Sequence, residues 1–142
     1  MTKQLLLSLV LVSVVLVLGC SNKQSLSGTV TFSDDGSPVP TGMVLFHTPS
    51  HTARGAIMSG GTYTVGTDAM ADGISKGTYH VTVHADEATT IETPTTITIV
   101  HRPLIHSRYG NPSTSGLTFT ADGKTRTFDI VVDRHEPPQR RR

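Results

Sequence analysis

Seven histidines, a single cysteine and one run of hydroxyls are the residues of this chain whose types could do chemistry. His84-Ala85-Asp86-Glu87 sets His84 and Glu87 at His-x-x-Glu spacing, at which two side chains can converge on one zinc ion. A catalytic zinc also needs a third protein ligand and an open position, and no third ligand stands at a recognisable spacing. His84 and Glu87 are thus weak metal candidates. His80 and His84, four residues apart on a strand, are separated by about 13 Å of strand rise and do not chelate together. His47, His51, His101 and His106 come together only if tertiary pairing brings them there. Ser113-Thr114-Ser115-Gly116 offers hydroxyls without a His–Asp partner by motif, and reads as a loop entering a strand. With no triad, carboxylate pair or closed ligand set, the expectation is a protein with no catalytic residues, no metal and no cofactor.

Cys20 is the other reactive group, and its context is an address. Residues 1–4 carry one positive charge and precede Leu5–Leu18, an uncharged run of 14 residues. That length fits the apolar region of a signal peptide and falls short of the roughly 20 residues that span a bilayer. Val17-Leu18-Gly19-Cys20 resembles the bacterial lipobox, with Val17 where leucine is commoner. The resemblance implies cleavage before Cys20 and a diacylglyceryl group on its sulfur. Each buried methylene contributes about 0.8 kcal/mol, so two or three acyl chains hold firmly where one holds marginally. Ser21, where an aspartate would retain such a protein at the inner membrane, favours the outer membrane. A lone cysteine also excludes an intrachain disulfide, so the fold must be held by its core.

Cleavage leaves 123 of the 142 residues, enough for one domain. The expected organisation is a signal peptide over 1–19, the lipidated Cys20 with a polar tether over 20–25, a folded domain over 26–133 and a basic disordered tail over 134–142. From Gly28 to Asp133 six Lys/Arg stand against ten Asp/Glu, a net charge of −4, while the tail carries four Arg and one Glu, +3. An acidic body and a tail without aromatic residues exclude nucleic-acid recognition.

The elements that must position these groups have a period of two almost throughout. Gly28, Val30 and Phe32 alternate with threonines, and Val44 and Phe46 with Leu45 and His47. Tyr79, Val81 and Val83 alternate with His80, Thr82 and His84, and the pattern recurs at Ile97/Ile99, Leu117/Phe119 and Phe128/Ile130/Val132. This predicts strands with one buried and one wet face near 26–33, 42–48, 54–59, 61–66, 78–85, 96–101, 116–121 and 126–132. Gly61-Thr62-Tyr63-Thr64-Val65 and Gly77-Thr78-Tyr79-His80-Val81 are near-copies. Each begins a strand after a turn, with tyrosine and valine inward and the tyrosine hydroxyl reaching a backbone group at the corner. The fold class is all-β, an antiparallel sandwich or barrel.

The segments "SGTVTF", "GSPVPTGMVLFHTP", "GGTYTVG", "GISKGTYHVTV" and "RYGNPSTSGLTFTADGKTRTFDIVV" together resemble small bacterial lipoproteins with a carboxypeptidase-regulatory-like, transthyretin-like domain, over roughly 26 to 133. The resemblance implies a prealbumin-like Greek-key β-sandwich of seven or eight strands, with an accessory rather than catalytic role. Transthyretin-like hydrolases of urate metabolism end in Tyr-Arg-Gly-Ser, whereas this chain ends in Gln-Arg-Arg-Arg. Related adhesin domains carry a Lys–Asn isopeptide from an inward lysine of the first strand, and here those positions are Gly28, Val30 and Phe32. The expected function is a membrane-anchored, non-catalytic cell-envelope module that contacts protein or polysaccharide. The alternatives are a lipoprotein that binds a small ligand or metal through surface histidines, and a hydrolase.

Overall fold

The computed structural model describes residues 22–136. The expected signal peptide, Cys20, Ser21 and the tail beyond Glu136 lie outside the described residues. Among the described residues there are eleven strands: β1 (Lys23–Gln24), β2 (Ser27–Phe32), β3 (Gly42–His47), β4 (Thr52–Ile57), β5 (Thr62–Thr64), β6 (Ile74–Ser75), β7 (Gly77–His84), β8 (Asp86–Thr93), β9 (Thr96–Pro103), β10 (Leu117–Ala121) and β11 (Ile130–Val132). A single 3-10 turn, Ser107–Gly110, interrupts them. Among the described residues no helix is long and apolar enough to cross a membrane.

Among the described residues the fold is all-β, in four sheets of which none closes. β10-β7-β3-β4 form the largest, β11-β2-β5 the second, and β1-β6 and β8-β9 are two-stranded. The inward side chains of the two larger sheets meet in one core. Val44 and Phe46 come from β3, Tyr79, Val81 and Val83 from β7, and Val30 and Phe32 from β2, with Tyr63 from β5 and Ile130 and Val132 from β11. Phe46 is the hub, with the rings of Tyr63, Tyr79, Phe119 and Phe128 at 5.9–6.3 Å between centroids. A backbone bridge between Arg54 and Gly66 ties the β4 edge to the chain just after β5.

Both copies of the Gly-Thr-Tyr phrase start strands as the sequence predicts. Tyr63 and Tyr79 are buried, and their hydroxyls donate to backbone carbonyls, that of Tyr63 to Phe128 and that of Tyr79 to Ser75. Gly61 adopts φ +75°, where only glycine rests easily. Gly28 does a different job: a Cβ there would stand 2.0 Å from the Phe128 carbonyl oxygen, so its absence lets the two backbones approach.

Several expectations are corrected. The fold is not wholly antiparallel, because β11 runs parallel to β2 in the register Ile130↔Val30. About a hundred residues separate these strands, ample for the crossover that parallel pairing needs. The expected tether over 20–25 runs too far and the folded domain starts before 26, since Lys23 and Gln24 pair with Ser75 and Ile74. Gln24 is buried, donating to the Thr125 carbonyl and accepting from the Gly123 N–H. The tail likewise loses Arg134, which bridges Ile105, donates to Asp34 and Asp35 at 2.7 and 2.9 Å, and stacks 3.7 Å over the Phe32 ring. Phe128 lies outside any strand and is only partly buried, because the 126–132 run joins the ladder continuously only from Ile130. Finally, β8 was invisible in the pattern, and β9 does not bury Ile97 and Ile99. The two strands make a separate hairpin with water on both faces.

Candidate functional site

Three surface regions gather the groups with chemical or binding capacity. The first is the outer face of the four-stranded sheet. The β3–β7 register sets His47 directly opposite His80 and Met43 opposite His84, so three histidines share that face. His47 is pinned there, with Nε2 2.9 Å from the Thr82 hydroxyl and Nδ1 3.4 Å from that of Thr52. Burial pushes its pKa down, and the neighbouring His84 and His80 push it the same way. Thr82 is fully buried although the alternation puts it on the wet side. Its partner His47 satisfies the hydroxyl, a pairing that only the register could reveal. His51 is used differently: because the Tyr79 hydroxyl gives its one proton to Ser75, His51 Nε2 donates to the hydroxyl oxygen at 3.0 Å, edge-on to the tyrosine ring.

The His-x-x-Glu pair is not assembled. His84 ends β7, and with Asp86 and His106 it lines a shallow depression of about 230 Å³ at the root of the β8–β9 hairpin. Glu87 lies on β8, in register with Arg102, and does not line that depression. His101 lies on the hairpin itself, opposite Ala88. Among the described residues no three His, Cys, Asp or Glu side chains are grouped to hold a metal ion. The hydroxyl run forms a turn: Asn111 accepts from the Ser113 N–H and hydroxyl, and the Thr114 hydroxyl donates to the Arg108 carbonyl.

The second region is the hairpin. Each of its strands has eight residues, joined through Pro94 and Thr95, and Thr93 donates from its hydroxyl to the Thr96 carbonyl across the turn. Its register puts Ile97 opposite Glu92 and Ile99 opposite Thr90, so both isoleucines share one face. They are 70% and 63% exposed, and Ile91 on the other face is 49% exposed. An isolated two-stranded hairpin is marginally stable in water. This one meets no second sheet along its length, so its apolar side chains are presented rather than packed.

The third region is a groove of about 560 Å³ along the β4 edge, closed on one side by residues 66–71. Met43, Met58 and Met70 line it, and they are all the methionines of the chain after Met1. No periodicity marks this gathering, because the three come from a strand, a turn and a loop. The loop is held by Asp72, which accepts from the Thr67 N–H and from Lys23 Nζ at 2.6 Å. Those contacts, Lys23 first, hold the Asp72 carboxyl well below the ordinary range.

No family model matches the chain, and no curated protein matches it. Among solved structures, a 9R-lipoxygenase from Cyanothece PCC8801 is similar to it at 14% identity and a TM-score of 0.36. The similarity covers 78% of this chain and 16% of the lipoxygenase chain, so the chain spans less than a fifth of that protein's length. At this level the likeness bears on neither fold nor chemistry.

Proposed function

We propose that the protein is a non-catalytic module of a bacterial cell envelope, anchored through a lipid on Cys20, that contacts a protein partner with its β8–β9 hairpin. In this reading the two larger sheets form a Greek-key sandwich of the transthyretin-like kind, a rigid carrier for the arm. The carrying observation is that Ile97 and Ile99 lie side by side on a hairpin that the body leaves uncovered. Fixing sixteen hairpin residues costs about 1–2 kcal/mol each in backbone entropy, and a partner that buries the isoleucines offsets part of that cost. A protein suits the arm better than a polysaccharide, for every tyrosine and phenylalanine of the chain packs in or against the core and none is offered for stacking on a sugar face. Outer-membrane sorting rests on Ser21, and the non-catalytic role on the sequence resemblance to accessory lipoprotein domains.

The test compares the native protein with an Ile97→Thr, Ile99→Thr double variant in envelopes solubilised in mild detergent. A native-gel complex should be present for the first and lost for the second, at equal melting temperature. The same complex in both would defeat the hairpin reading. Mass spectrometry should find an acylated Cys20 peptide, and Cys20→Ser should release the protein from the membrane. One observation favours a second reading, in which the histidines bind a metal: His47 and His80 are direct cross-strand neighbours. A Zn²⁺- or Cu²⁺-dependent rise in melting temperature that His80→Ala abolishes would support it.

A further inference from the structure

The groove on the β4 edge has a composition that selects a ligand, and it lies apart from the hairpin. Its volume of about 560 Å³ falls within the roughly 300–1,000 Å³ of small-molecule sites. Met58 is 62% and Met70 95% exposed, a large cost in apolar surface left wet for a chain with so few methionines. Thioether side chains are unbranched and adaptable, and they line binding surfaces that must close around flexible apolar chains. Ala56 and Ala69 add methyl groups to the lining, while the Tyr63 ring lies beneath with its hydroxyl already committed to the Phe128 carbonyl.

Two charged residues line the groove, Arg54 and Asp68. Asp68 is paired with Lys23. Arg54 makes no ion pair and no side-chain hydrogen bond among the described residues, although its backbone is fixed by a reciprocal pair of hydrogen bonds with Gly66. A guanidinium beside an apolar groove suits a carboxylate, which it binds by two parallel hydrogen bonds. The same cation opposes a soft metal ion such as Cu(I), which three thioethers would otherwise attract. We infer that this groove is a binding site for an acyl carboxylate, a free fatty acid of medium chain length, with its chain among Met43, Met58 and Met70 and its carboxylate on Arg54.

The methionine methyls report on this directly. Full-length protein labelled with ¹³C at the methionine methyls and held in amphipol is titrated with dodecanoate, and in parallel with dodecanol and with Cu(I). Dodecanoate should shift the signals of Met43, Met58 and Met70 together along one saturable curve, and bind at least fivefold more tightly than dodecanol. Arg54→Gln should abolish that preference while leaving dodecanol binding unchanged. Met70→Glu, at a position that bears on folding little, should weaken both ligands, and dodecanoate more because the new carboxylate repels it. The inference is overturned by shifts that do not saturate, by equal affinity for acid and alcohol, by a preference that survives Arg54→Gln, or by Cu(I) saturating the three signals at lower concentration than dodecanoate.

Discussion

The body and the β8–β9 hairpin are built from the same residue types and held by different physics. In the body, Val44, Phe46, Tyr79 and Val81 alternate with threonine and histidine, and the apolar set is buried against a second sheet. In the hairpin, Ile97 and Ile99 alternate with threonine just as regularly and meet nothing. Alternation therefore fixes which residues share a face, and only the presence of a second layer decides whether that face is core. Under the proposed function, that uncovered face is where a partner docks.

The contrast breaks most sharply at Phe46. Phe46→Ala removes the ring on which four others converge, and should cost about 3–5 kcal/mol through lost burial and a residual cavity. Because small domains have about 5–15 kcal/mol in total, chemical denaturation should find the variant near the edge of folding. A shift below about 1 kcal/mol would show that the body is not organised around this residue. Gly28→Ala comes next. Its methyl would push against the Phe128 carbonyl and part β2 from the chain entering β11, and a loss of about 1–3 kcal/mol is expected in the same assay.

A third probe uses pH. Lys23 and the Thr67 N–H hold Asp72 down, hydrogen bonds from the Ser37 hydroxyl and N–H hold Asp35 at about 2, and the Ser33 hydroxyl leads those that hold Asp133 down. Folded values below the unfolded value of about 3.9 contribute stability that is present above that pH and lost as pH falls through the folded values. The depressed His47 imidazole adds stability that is lost as pH falls below its unfolded value of about 6.5, so the melting temperature should decline gently below that pH and steeply between about 4 and 2. Asp72→Asn should make the fall shallower, and an unchanged slope would mean that the Lys23 contact does not persist in solution.

The smallest effect belongs to the hairpin. Ile97→Thr with Ile99→Thr should change stability by no more than about 0.5 kcal/mol, since exposed side chains away from the core contribute little. A loss as large as that at Gly28 would mean that the isoleucines are covered by this chain itself.

These residues also mark what the sequence could and could not reveal. The strands of the body were legible at Val30/Phe32, Val44/Phe46 and Tyr79/Val81/Val83 because one face is buried there, and burial writes period two. The tyrosine repeat was legible because a buried hydroxyl must find a backbone partner. β8 was not, because Asp86–Thr93 buries nothing and carries the acidic residues that strands usually lack. The anchoring of Lys23 and Arg134 was hidden too, for each is fixed by carboxylates at least 45 residues away. The His47–Thr82 bond, the separation of His84 from Glu87 and the gathering of Met43, Met58 and Met70 all depend on register or on loop placement, and neither leaves a local trace.

Site-specific photo-crosslinking in the native envelope tests the hairpin as a contact arm most directly. A photoreactive amino acid is placed in turn at Ile97 and Ile99 on the hairpin and at Thr118 and Thr120 on the outer face of the body. The account predicts one discrete crosslinked protein from both hairpin positions and none from the body positions. Equal crosslinking from both regions, or from the body alone, would contradict it.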